Sequence, residues 1–107
     1  ETVQTSRSRP GDSMPYEILY SDEAVKKLKG LRAFDRTAIL DQIEQVLDTN
    51  PMQESKARVK MLRQPAPTQY RLRVGEFRVF YDVVGQSVHV IEILSKAETA
   101  SYLEGLL

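Results

Sequence analysis

Residues 70–83 read YRLRVGEFRVFYDV, and the fold follows from this stretch. Apolar and polar residues alternate on both sides of Gly75-Glu76, the period of a strand. Glycine at the first of two loop positions supplies the positive φ of a tight hairpin turn of type II′. That turn fixes the register. Val74 faces Phe77, Arg73 faces Arg78, Leu72 faces Val79, Arg71 faces Phe80 and Tyr70 faces Tyr81. One face then carries Tyr70, Leu72, Val74, Phe77, Val79, Tyr81 and Val83, all suited to a core. The other carries Arg71, Arg73, Arg78, Phe80 and Asp82. A slip of one residue would scramble both faces, so their consistency supports the register.

A third strand follows from Ser87, after Gly85-Gln86. The only histidine, His89, falls opposite Asp82 if that turn also has two residues. The same register sends Glu92 to the apolar face, so the pairing beyond the turn stays open. Ser95-x-x-Glu98 then forms a capping box for a last helix, with Ala100, Leu103 and Leu107 along one side. Upstream, Tyr16, Ile18 and Tyr20 suit a first strand. Ser21 caps a helix with Ala24, Val25 and Leu28 on its apolar face, ending at Gly30. A second helix is expected from about Asp35 to Thr49, carrying Ile39, Ile43, Val46 and Leu47, with Asn50-Pro51 as its stop. Lys60-Met61-Leu62 is a short strand or turn. The expected class is α+β: a curved antiparallel sheet on an N-terminal αα-hairpin, in the order β-α-α-(β)-β-β-β-α.

Composition narrows the function. The chain has 107 residues and no cysteine, which fits one domain and excludes disulfides, thiol catalysis and cysteine-based zinc sites. Residues 1–13 are polar and read as a disordered lead-in, with Met14 a possible natural start of the domain at 14–107. No apolar run suits a membrane span, so a cytoplasmic location and no membrane partner are expected. No phosphate loop or metal-ligand spacing occurs, so neither metal nor cofactor is expected. Net charge is zero, yet residues 56–96 hold 8 Lys/Arg against 3 acids. Such a stretch points to an anionic partner. Arg71, Arg73 and Arg78 make a phosphate receptor on adjacent strands, and Phe80 offers a ring for a nucleic-acid base. Arg73 directly opposite Arg78 is a like-charge conflict, of the kind tolerated where function is served. On this reading, alanine at either position leaves folding intact. Lys56, Arg58, Lys60 and Arg63 extend the same basic stretch as candidate nucleic-acid contacts.

YRLRVGEFRVFYDV, preceded by Lys60-Met61-Leu62 and by a helix ending in Asn50-Pro51, resembles the RelE/ParE toxin superfamily of type II toxin–antitoxin systems. The opening YEILYSDEAVKKLKGL is similar to that family's first strand and helix, and the resemblance spans about residues 15–103. It implies a compact α+β toxin held by a cognate antitoxin. RelE-like members act on the ribosome and cut mRNA without metal, by attack of the RNA 2′-hydroxyl on the neighbouring phosphate. Arg71 and Arg73 match the basic residues before the turn, and Arg78 the transition-state arginine. Lys96 and Tyr102 fall about one position from the late basic residue and tyrosine. Arginine does not readily give up a proton, so the base must lie elsewhere. ParE-like relatives poison DNA gyrase on the same fold, and a non-catalytic binding protein is a third possibility.

Overall fold

The structure is a computed structural model that describes residues 15–55 and 58–104. The lead-in, Met14, Lys56 and Leu107 lie outside these residues. The first strand, β1 (Glu17–Tyr20), runs into α1 (Asp22–Gly30) at Ser21. The Ser21 hydroxyl accepts from the amide of Ala24 at 3.1 Å, as the cap reading expects. Ala24 and Leu28 are buried. The hairpin link is Leu31-Arg32, and α2 spans Ala33–Gln42. Arg36 stabilises that link: its Nε donates to the carbonyl of Leu28 at 2.8 Å and its Nη2 to Leu31 at 2.7 Å. The Leu28 carbonyl also accepts from the Leu31 amide at 3.2 Å, so Arg36 adds a second donor at the helix end.

The second helix begins two residues before the expected Asp35. It passes directly into a π-helical segment, Ile43–Leu47. Ile39, Ile43 and Leu47 form its fully buried face. The hydroxyl of Tyr81, on the sheet, donates to the Pro51 carbonyl and so secures the end of this helix.

Strands β2 (Val59–Met61), β3 (Tyr70–Val74), β4 (Phe77–Val84) and β5 (Ser87–Ser95) complete a sheet in the order β1-β5-β4-β3-β2. The register of β3 on β4 is the one read from the turn, from Tyr70 opposite Tyr81 to Val74 opposite Phe77. Gly75 and Gly85 open the two tight loops at φ 56° and 59°. The rings of Tyr70 and Tyr81 stack at 5.5 Å. Two features modify the expected sheet. β1 pairs parallel to β5, Ile18 with Val88 and Tyr20 with Val90, so the sheet is mixed rather than wholly antiparallel. A bulge in β5 skips Ile91, so that Tyr81 faces Val90 while Phe80 faces Glu92.

That bulge resolves the open register. His89 does face Asp82, and the extra residue returns Glu92 to the polar face while Ile93 enters the core. The bulge is fixed from outside the sheet, because the Ser21 hydroxyl donates to the Ile91 carbonyl at 2.6 Å. The last helix, α3 (Lys96–Glu104), follows β5 without a loop. Its capping box is closed in both directions. The Ser95 amide donates to Glu98 Oε1 at 2.8 Å, and the Glu98 amide to Ser95 Oγ at 3.2 Å. Among the described residues no helix is long and apolar enough to cross a membrane.

Candidate anion-binding face

The helical hairpin covers one face of the sheet, where the core lies. The opposite face is basic at its β2–β3–β4 side. Val59 is paired with Leu72 and buried, so Arg58 and Lys60 alternate onto the face that Arg71 and Arg73 share. The Arg73 amide donates to the Arg58 carbonyl at 2.8 Å, which extends the pairing one residue past β2. Two cross-strand rows result. Arg58, Arg73 and Arg78 form the first. Lys60 and Arg71 form the second, which continues through Phe80 to Glu92.

The three central arginines differ. Arg73 is exposed. Arg78 is 8% exposed, and its Nη1 donates to the carbonyls of Gly75 and Phe77, both at 3.1 Å. It therefore also braces the hairpin turn. Arg71 is half-buried and its Nε is buried without a partner. Burial, and then the charges of Arg78 and Arg73, pull its pKa below the ordinary guanidinium value. Neither ion pair found among the described residues, Lys27–Glu98 or Arg32–Asp35, touches this cluster. The nearest acid of the neighbouring row, Asp82, is engaged elsewhere: its Oδ1 accepts from the Gln69 amide at 2.7 Å.

The other half of the face is covered by α3. Tyr102 packs on Phe80 with ring centroids 5.1 Å apart, and Phe80 is fully buried. Phe80 is thus a second small core rather than the exposed stacking ring expected from its place among the arginines. The physical reason is that a phenyl ring on a cationic face is poorly solvated, and the capping box directs a helix over it. Tyr102, half-buried, is the aromatic that borders the basic rows. Burial, followed by Glu92 and Asp82, raises its phenol pKa. Glu92 is likewise raised, chiefly by burial. The polar face of α3 is tied to α1 by Lys27, whose Nζ meets Glu98 at 2.7 Å.

Lys96 opens α3 beside the hairpin tip, its amide donating to the Glu76 carbonyl at 2.8 Å, and lies at the rim of the first row. Arg63 is exposed on the loop after β2 and belongs to neither row. Ala100, expected on the packed side of the last helix, is exposed, whereas Tyr102 and Leu103 are half-buried. No three His, Asp or Glu side chains among the described residues converge as metal ligands would.

A family model for the ParE toxin of the type II toxin–antitoxin system parDE matches residues 18–100. Among solved structures, a chain of the RelB–RelE antitoxin–toxin complex from Methanococcus jannaschii is similar. It superposes with a TM-score of 0.60 at 24% identity, over 78% of this chain and 96% of that chain. At that identity the likeness concerns the fold. No curated protein matches.

Proposed function

This chain belongs to the ParE toxin family of type II toxin–antitoxin systems, within the RelE/ParE superfamily, and from that premise we propose that it inhibits translation by cutting mRNA on the ribosome. The observation that carries the reading is the pair of basic rows, Arg58–Arg73–Arg78 and Lys60–Arg71, bordered by Tyr102 and, among the described residues, without carboxylate partners. Guanidiniums in this arrangement bind phosphodiesters and stabilise the extra charge of a pentacoordinate phosphorane. In the proposed step the 2′-hydroxyl proton passes to solvent as the RNA 2′-oxygen bonds to phosphorus, and the bond to the 5′-oxygen breaks as that oxygen takes up a proton. The products are a cyclic 2′,3′-phosphate and a 5′-hydroxyl. Arginine supplies charge and position. Tyr102 suits a donor to the departing oxygen rather than a base. A cognate antitoxin, as RelB is for RelE in the archaeal complex, keeps such a toxin silent.

A second reading is poisoning of DNA gyrase, favoured by the ParE name of the matching family. It asks for no proton acceptor on the basic rows. Induced expression with mapping of mRNA 5′ ends separates the two. Codon-phased 5′-hydroxyl ends are expected. Intact mRNA with gyrase-linked DNA breaks would replace the first reading by the second.

A further inference from the structure

The charge of the basic rows exceeds what a nucleic-acid strand brings to so small an area. Same-face residues along a strand are about 6.8 Å apart and neighbouring strands about 4.8 Å apart. The Cα atoms of Arg58, Lys60, Arg71, Arg73 and Arg78 therefore lie within about 10 Å by 7 Å. Among the described residues these five side chains make no hydrogen bond to an acid, and of the five only Arg78 donates to another described residue, through Nη1. The Nε of Arg71 is buried with no acceptor. A polynucleotide strand carries one charge per phosphate, spaced about 3.4 Å along a duplex axis and wider when extended. Two or three diesters at most fit the patch. A phosphate monoester alone carries about −1.5 to −2 at pH 7, and each further phosphate condensed onto it adds another charge in a shorter length.

Two alternative cationic positions nearby are already engaged. The N-terminus of α3 is already occupied by its own Glu98 carboxylate. Lys27 is paired with the same carboxylate. Tyr102 over Phe80 closes the β5 side of the patch, and β2 forms the opposite edge. What remains is a shallow, cation-lined site with one wall. Guanidiniums are suited to holding phosphate oxygens in pairs, and Arg73 presents one that is exposed.

We propose that this face binds a free condensed-phosphate anion, an inorganic tripolyphosphate or the triphosphate of a nucleotide, as a ligand in its own right. Bound there, the anion competes with any macromolecule that docks on the same rows, so phosphate-rich small molecules tune the free toxin. The proposal uses the same face as the reading above but does not depend on mRNA cleavage.

The experiment titrates the full chain with sodium tripolyphosphate, ATP and orthophosphate at matched ionic strength, following heat of binding and the unfolding midpoint. A ligand that binds the native state alone raises that midpoint in proportion to its occupancy. Tripolyphosphate is expected to bind at least about tenfold more tightly than orthophosphate, a gap of about 1.4 kcal/mol. Arg71→Ala and Arg73→Ala should each weaken it by about fivefold or more, while Lys29→Ala, exposed on α1, leaves it unchanged. Equal affinity for ATP and tripolyphosphate would mean that phosphate alone is read. Tighter ATP binding would mean that the base is read too, and both outcomes support the site. Tripolyphosphate binding no tighter than orthophosphate, or intact in Arg73→Ala, overturns it. Cleavage mapping is scored separately, so either proposal can fail while the other stands.

Discussion

Arg73 and Arg78 face each other across the hairpin, yet the structure gives them different duties. Sequence pairing makes them look equivalent, with alanine harmless to folding at either position. The hydrogen bonds from Arg78 Nη1 to Gly75 and Phe77 are invisible in a pairing diagram, because they depend on a side chain folding back over its own turn. Arg73→Ala should lower toxicity at least tenfold, about 1.4 kcal/mol of transition-state stabilisation, and leave stability unchanged or raised by up to about 1 kcal/mol. Arg78→Ala should lower toxicity as much but also cost about 1–2 kcal/mol of stability, since the freed carbonyls lose a charged donor. Urea unfolding of both variants, beside growth arrest at equal soluble expression, checks the contrast. Equal stability of the two variants would refute the bracing role. Glu92 makes the same point about what local pattern can carry. Alternation alone sends it into the core, and the bulge that rescues it is held by Ser21, about 70 residues away. No window around Glu92 contains that information.

Elements were legible where one periodic face decided them. The hairpin register and the capping box were both set by a few adjacent residues, and both hold in the structure. The end of the second helix was less legible, because a π-helical turn keeps the same apolar residues on its face and leaves no mark in the spacing. The capping of the first helix by Arg36 of the second leaves no mark in the sequence, since an arginine on a helix surface is ordinarily solvated. Arg36→Ala should cost about 1.5–3 kcal/mol, read as a lower urea midpoint with unchanged slope. A loss under about 0.5 kcal/mol would assign those carbonyls to water. The docking of α3 rests on a titratable contact. Lys27 and the Ser95 amide hold Glu98 down to a pKa of about 2. A depressed carboxylate contributes stability above its unfolded pKa, and that contribution is lost as pH falls through the folded value. Between about pH 4.5 and pH 2 the wild type should therefore lose a contribution that Glu98→Gln never had. The pair is largely exposed, so the difference is about 0.2–1 kcal/mol. Amide exchange of α3 across that range would show it, with parallel pH profiles in both proteins as the contrary result.

At the scale of the molecule, a chain with no net charge gathers five of its 15 Lys/Arg, namely Arg58, Lys60, Arg71, Arg73 and Arg78, on one sheet face. The sheet order was the least legible feature, because β1 chooses β5 through contacts such as Ile18 with Val88 that local alternation does not record. The charge separation, by contrast, was present in the count over residues 56–96, and the fold concentrates it. It should govern how an antitoxin is captured. An acidic segment approaching the rows Arg58–Arg73–Arg78 and Lys60–Arg71 is steered by their field before any contact forms. Salt shortens the reach of that field from about 10 Å at 0.1 M to about 3 Å at 1 M. The association rate should therefore fall about tenfold or more over that range. Dissociation should change far less, because apolar groups buried in the complex are not screened. Arg73→Ala should flatten the salt dependence of association without abolishing the complex. Rates measured by surface capture, against the antitoxin encoded beside this chain, test each part. An association rate indifferent to salt, or a salt slope unaltered by Arg73→Ala, would place the antitoxin on another face and leave the basic rows to the toxin's target alone.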